Sequence, residues 1–466
     1  MKTYRVESDS MGEVKLPDDA YWGAQTERAV RNFGISPLRI PVPMLRAMSL
    51  VKSASAEANR KLGLLEDKLA EAILKAAGEV IDGKFDDQFP IDVFQTGSGT
   101  SWNMNMNEVL SNRANELLGS PKGAKNPVHP NDHVNRGQSS NDVIPTAINI
   151  ACRLEAEKLR QAIRKLRDGL KARSRGFSGV LKLGRTHLQD AVPMTLGQEF
   201  SGYAEQIAKA EERLRNTFAH LEELPLGGTA IGTGLNTHAG FKDIAVSYIA
   251  SWTGLPFKPA ANPFEGIAAR DAQAELMGAL NVLAVSLMKI ANDLRLLASG
   301  PRSALGEIVL PALQPGSSIM PGKVNPVIPE MVIQAAAHVM GKHLAVTVAC
   351  QNGPLELNIM QPLIAYETVF ALNLMERTCT VFLEKCVSGI TADEKRCREW
   401  IERSLALVTP LALKVGYERA ARIAYAAYRD GITVREAAIR DGAVTAEEAD
   451  TALDPARMTG PEGAGR

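Results

Sequence analysis

The sequence lacks any net charge: 53 lysines and arginines stand against 53 aspartates and glutamates in 466 residues. A protein whose main task is to coat nucleic acid or anionic lipid carries an excess of cations, so that class is excluded, although a small local basic patch is not. Cysteine is scarce. The five, at positions 152, 350, 379, 386 and 397, are odd in number and form no CxxC. That excludes a disulfide framework and a thiolate zinc site and points to a reduced, intracellular chain. Aromatic residues make up only 5%, and period-two runs of β-branched residues are hard to find, so a mostly β chain is excluded. The first residues, MKTYRVESDSMGEVKLPDD, have no apolar core and carry acids early, unlike a signal or transit peptide. No window of about 18 predominantly apolar residues is evident, so no membrane span is expected. The best candidate, Leu276 to Met288, is 13 uncharged residues and reads as a buried helix.

What is present is ordinary globular composition, 45% hydrophobic and 23% charged, in a chain long enough to bury a large core without staples. Its length is compatible with about three domains. No internal repeat or low-complexity tract occurs.

Helical periods dominate the middle. Leu276, Leu280, Leu283, Leu287, Ile290, Leu294 and Leu297 follow one another in alternating steps of four and three, a seam repeating every ~3.5 residues. The theme recurs at Leu159, Ile163, Leu166 and Leu170, and at Leu196, Phe200, Tyr203 and Ile207, with Leu214 and Leu221 beyond. It returns at Leu372, Met375, Cys379, Phe382 and Cys386. Glu265 to Ser299 contains no proline; as one helix, its length would be about 52 Å at 1.5 Å per residue. Helices this long need partners along most of their length, within the chain or from other subunits. A mainly α fold in three parts is expected: 1–138 mixed helix and loop, 139–392 a long-helix bundle, and 393–466 a short helical tail. The end, from Pro455 on, is expected to be loosely held.

Between the helices lie polar loops rich in Gly, Ser, Asn and Pro: 95–103, 126–141, 184–193, 226–238 and 313–329. Loops on a rigid scaffold are where sites usually sit. GSSIMPGKVNP, Gly316 to Pro326, cannot be a regular helix or strand interior. It reads as a surface loop or as an anion-handling one. In the second case Lys323 and Asn325 would hold a carboxylate, and a serine would act as acid or base if its backbone surroundings stabilised an alkoxide. In QTGSGTSWNMNMNE, Ser98 and Thr100 fall near a helix start, where free N–H groups favour an anion; simple N-capping is the alternative. It is not a P-loop, because no Gly-Lys-Ser/Thr follows. In HPNDHVNRGQSSND, Pro130 and the Asn-Asp turn argue against a helix that would pair His129 with His133 on a metal. Ser139, Ser140 and Asn141 there read as a helix cap and as donors suited to a carboxylate. GRTHLQD carries His187, either a structural hydrogen bonder or a proton shuttle, since imidazole titrates near neutrality. GGTAIGTGLNTH lacks the third spaced glycine and the βαβ setting of a dinucleotide loop. Spacing alone therefore supports a site for an anion, and no loop supplies a cluster of acids for a metal.

Together these motifs resemble the class II fumarases of the fumarase/aspartase superfamily, over nearly the whole chain from DSMGEVKLP at Asp9. GSSIMPGKVNP is similar to the superfamily loop; TGSGT, HPND, QSSND, GRTHLQDA and GGTAIGTGLNTH are similar to the fumarase branch. AVPMTLGQEF, NPVIPE and ITADEKRC lean towards aspartate ammonia-lyase. His187 decides against it, because aspartases resemble this loop but carry glutamine there, and a carboxamide cannot deprotonate water. PGK at 321–323, His238 after GLNT and WGAQT at Trp22 fall on the fumarase side too. A non-catalytic helical scaffold, like the lens proteins derived from such lyases, is the reading from another class; the joint presence of Ser317, Lys323, Asn325 and His187 argues against it.

The resemblance implies reversible, stereospecific hydration of fumarate to L-malate, a tricarboxylic acid cycle step, in the cytoplasm, with no metal or organic cofactor. It implies a three-domain lyase fold whose five-helix bundle builds a 20-helix tetramer core, with each active site shared by three subunits. Nucleic acid and membrane are not implied partners. Ser317 resembles the base that removes the C3 proton of malate. Lys323 and Asn325 resemble groups that bind carboxylate and stabilise the aci-carboxylate intermediate. His187 resembles the group that activates water, with Glu330 as its acidic partner. Ser98, Thr100, Ser139, Ser140, Asn141 and Thr186 resemble substrate and water contacts, joined by Ser318. His129, Asn131 and Asp132 match a second anion-binding loop. There the sequence departs from the pattern: Asn126-Pro127 stands where fumarases often have a basic side chain, with Lys125 further back, which points to a weaker or absent second site. Trp102 also replaces a small polar residue common in the family.

Overall fold

The computed structural model describes residues 3–460. Among these are seventeen α-helices and eight short strands, the strands paired in four two-stranded sheets. The chain is mainly helical, as its composition and seams lead one to expect. It forms two compact units. One takes in the chain up to Arg160 with Glu212–Ala284 and His338–Glu376; the other takes in Gln161–Glu211, Val285–Ala337 and the chain from Arg377 on.

An N-terminal hairpin, β1 (Tyr4–Asp9) and β2 (Gly12–Pro17), opens the chain. The helices that matter for the site are α1 (Val42–Lys61), α2 (Thr100–Leu117), α3 (Ser140–Gly176), α4 (Leu196–Asn216), α5 (Asp271–Leu297), α6 (Val327–Cys350) and α7 (Gln361–Lys385). The seams read from sequence are core: Leu276 through Leu294 on α5 are at most 1% exposed, and Leu372, Met375, Cys379 and Phe382 on α7 are fully buried. At ~25 cal/mol per Å² of apolar area, such a row is the main source of each helix's stability.

Three expectations need correction. The proline-free stretch is not one helix. A short helix, Pro263–Ala268, ends at extended Ala269 (φ −97°, ψ 149°), and α5 starts afresh at Asp271. The buried Arg270 between them turns its guanidinium back onto the carbonyls of Ala269 and Gly266, so a hydrogen-bonded side chain makes the break that no proline announces. Next, α5 is long and apolar enough to cross a membrane by length and composition, with an 18-residue window of mean hydropathy 1.5. Half of that window is buried within the chain, because the leucine seam is spent on packing. Lastly, 184–193 is not an irregular loop. β3 (Leu181–Thr186) and β4 (Gln189–Thr195) form an antiparallel hairpin, irregular between Leu183 and Arg185.

The hairpin is rooted in the second unit. Leu183 belongs to a buried cluster with Ile401, Leu411, Ile423 and Ala438 from the C-terminal helices. Beyond these helices, Pro455–Met458 makes a further turn, and the Thr459 carbonyl accepts from Gln198 Nε2 at 2.7 Å, so the chain is tied down to that point. The rest of the tail lies outside the described residues.

Candidate active site

In the first unit the motif residues gather at helix starts. Ser98 and Thr100 flank Gly99, whose left-handed backbone (φ 74°) turns the chain into α2. Neither side chain caps the helix; their hydroxyls bond each other at 2.8 Å. Capping, one of the two readings of this motif, is therefore not what they do. Gly97 is required for contact: a Cβ there would come within 1.9 Å of the Ile359 carbonyl oxygen.

Ser139 does cap α3. Its Oγ accepts from Asn141 N (3.2 Å), while the Asp142 carboxylate accepts from Ser139 N (2.9 Å). The other carboxylate oxygen of Asp142 accepts from Gly227 N and Thr229 N, both at 2.9 Å, and Asn141 Nδ2 donates to Ala230 O at 2.8 Å. The glycine-rich 226–238 loop is thus fastened to the start of α3. Asp142 is fully buried, and burial pushes its carboxyl up to about 6. Behind it Lys52 of α1 is also fully buried, which pushes its amine down to about 7. Lys52 carries no motif signature; the only hint is one cation among the small residues of LVKSASAEA.

His129 and His133 do meet in a helical turn, contrary to expectation. Pro130–Val134 form one wide turn closed by bonds from Val134 N to His129 O and from Asn135 N to Pro130 O. It is not a metal pair: His133 Nδ1 accepts from His129 N (2.8 Å), and His129 Nδ1 accepts from Asn131 N and Asp132 N (3.2 Å each). Two amides of the second anion loop are therefore already taken by an imidazole. Lys125 donates to the Ser8 carbonyl. Trp102 is buried in α2, its indole nitrogen without a hydrogen-bond partner among the described residues.

In the second unit, His187 and Leu188 are the two central residues of the β3–β4 turn, with φ of 57° and 60°. Such a two-residue turn demands left-handed backbone at both positions. Holding His and Leu there costs roughly 1–2 kcal/mol each. Strain of this kind concentrates at functional positions. Thr186 and His187 are exposed at the tip. The Gly316–Asn325 loop has a closed neck: Gly316 N donates to Lys323 O (2.7 Å) and Asn325 Nδ2 to Gly316 O (2.6 Å). A Cβ at position 316 would meet Asn325 N at 2.7 Å, so only glycine fits. Inside the loop, Ser317 Oγ accepts from Ile319 N (3.2 Å) and Met320 N (2.9 Å). These two amides supply the backbone setting that an alkoxide needs. A cleft of about 450 Å³ runs along the loop past Gln314, Ser317, Met320 and Lys323. Ser318 and Lys323 are exposed, and Glu330 lies in the first turn of α6. No hydrogen bond or ion pair among the described residues joins His187 to Glu330 or to the Ser317 loop.

The sequence matches the family model described as "Lyase" over residues 12–341 and the model of the fumarase C C-terminus over 407–460. It is 51% identical to mitochondrial fumarate hydratase of Rattus norvegicus, over 99% of this chain and 91% of that one. It is also 51% identical to fumarate hydratase class II 2 of Bradyrhizobium diazoefficiens, over 98% and 97%. The chain belongs to the class II fumarases. The class II fumarase fold extends to solved structures: recombinant class II fumarase of Schistosoma mansoni superposes with a TM-score of 0.96 at 40% identity, covering 99% of this chain and all of the other. Ser317, Lys323, Asn325 and His187 thus stand on a fumarase scaffold from end to end. The buried Lys52 and Glu307, in contrast, carry no motif signature.

Proposed function

We propose that the chain is a fumarate hydratase that interconverts fumarate and L-malate. The observation that carries this is the full-length likeness to the class II fumarases combined with His187 at an exposed, strained hairpin tip. In the malate-to-fumarate direction, Ser317 as alkoxide takes the C3 proton, held by the amides of Ile319 and Met320. The electron pair moves into the adjacent carboxylate to give the aci-carboxylate, whose added charge Lys323 and Asn325 stabilise. His187, with Glu330 of another subunit as its acidic partner, then gives a proton to the C2 hydroxyl, which leaves as water. Hydration is the reverse. Ser98, Thr100, Ser139, Ser140, Asn141 and Thr186, with Ser318, hold the carboxylates and water. The starts of α2, α3 and α6 add their dipoles. No metal or organic cofactor enters these steps.

The residues divide between the two units, and we place the active site in a homotetramer in which three subunits contribute to each site. Support comes from α6, where Gln334, Ala337, His338, Gly341, Leu344 and Val348 form an exposed stripe at helical-seam spacing, suited to a partner helix. We keep the three-part division at 138 and 392 as the domain reading and the cytoplasm as the location, the latter supported by an odd count of five cysteines with no CxxC. The His129–Asp132 loop is a weak second anion site at most, since its amides are taken.

Following fumarate absorbance with L-malate and then with L-aspartate as substrate tests the activity. Release from malate is expected; faster release from aspartate overturns the reading in favour of an ammonia-lyase.

A further inference from the structure

Lysine is almost never fully buried without a partner that justifies it. Lys52 is fully buried in the middle of α1. Its Nζ donates to Asn135 Oδ1 (2.9 Å) and Gln138 Oε1 (3.0 Å) in the segment before α3. Asn135 Oδ1 also accepts from Asn103 Nδ2 and Asn107 Nδ2 of α2, each at 3.2 Å. Asn103 Nδ2 in turn donates to Ser140 Oγ at 3.2 Å. Ser140 Oγ is thereby an acceptor on its inner side, which leaves its own proton to donate outward. Three contacts connect a buried ammonium to a hydroxyl at the mouth of the site.

Resting on the hydratase reading above, we infer that Lys52 is a positioning residue for the dicarboxylate: through Asn135 and Asn103 it orients Ser140 as a donor, and it sets a buried positive charge behind the Ser139–Asn141 loop. The groups that face it are Asp142 on α3, the one ionisable partner, and the neutral amides of Asn103 and Asn107 on α2 and of Asn135 and Gln138. A charge without water around it is little screened by salt and acts over several ångströms. Among the described residues the side-chain oxygens of Asn103 and Asn107 have no hydrogen-bond partner, so the network is not the saturated one that stability alone would select.

The test uses the tetramer and two variants, Lys52→Met, which removes charge and hydrogen bonds, and Lys52→Gln, which removes the charge and keeps a donor. Succinate, a non-reacting four-carbon dicarboxylate, is the probe in calorimetry, with steady-state kinetics alongside. Both variants are expected to bind succinate at least tenfold more weakly. KM for malate should rise by more than kcat falls, a split that a loss of stability alone does not produce. Wild-type succinate affinity in either folded variant overturns the inference. If neither variant folds, succinate affinity of the His187→Asn enzyme is followed from pH 6 to pH 8. Affinity falling as pH rises is expected, and a flat profile overturns the inference. Absence of malate turnover in the wild type would instead remove the hydratase reading, and the succinate comparison would still decide the role of Lys52.

Discussion

Glu307, fully buried, pairs with the guanidinium of Arg185 at 2.9 Å, and Arg185 immediately precedes Thr186 and His187 in the hairpin. Lys182, buried in the same strand, lies 3.6 Å from Glu307 and 2.7 Å from Glu199 of α4. One carboxylate thus anchors two cations of β3 directly below the turn that presents the imidazole. Exchanging Glu307→Gln leaves Arg185 without its carboxylate, while Lys182 keeps Glu199. Breaking such a pair costs about 3–5 kcal/mol, so a lowered unfolding midpoint is expected together with reduced kcat. Thermal melts and malate kinetics on the same preparation check both.

Ser317→Ala removes the acceptor for the Ile319 and Met320 amides, but the loop is largely exposed and water replaces it. A stability loss below about 1 kcal/mol is expected. Turnover should fall on the order of 10³-fold or more. Near-normal turnover would remove the serine from the mechanism.

His187→Asn is the informative change at the hairpin tip, because asparagine accepts left-handed backbone. The melt should be unchanged while kcat falls on the order of 10²- to 10⁴-fold. Leu188→Gly, next to it and 72% exposed, relieves strain and should raise stability by about 1 kcal/mol.

The buried Lys52–Asp142 pair makes stability depend on pH in two windows. Asp142, with its carboxyl raised to about 6, contributes stability that is present in acid and lost as pH rises through that value. Lys52, with its amine lowered to about 7, contributes stability present in strong base and lost as pH falls towards that value. The pair's contribution is therefore smallest between about 6 and 7. Melts from pH 7 to pH 10 should show a rise attributable to Lys52 in the wild type that is missing in Lys52→Met.

Much of this fold is legible in the sequence because the apolar seams of α5 and α7 repeat without interruption, and a ~3.5-residue period has one physical meaning. The motif loops are legible too, since Gly316 and Pro321 forbid regular structure. The β3–β4 hairpin is not, because Gly184 and Pro193 mask two strands of six and seven residues. The break before α5 is made by the arginine at position 270, a residue type with no helix-ending signature. The charged groups that brace the site escape for a different reason: Arg185 meets Glu307 across 122 positions, and pairings that distant leave no local pattern.

The exposed stripe on α6 bears on how the protein behaves outside concentrated solution. On the proposed homotetramer reading, identical chains cover this face, and the competent state becomes a matter of mass action among them. Specific activity should then drop, and drift downward with time, once enzyme is diluted below the concentration at which its subunits stay together. On the same reading, substrate bound at a site shared between subunits should slow that loss.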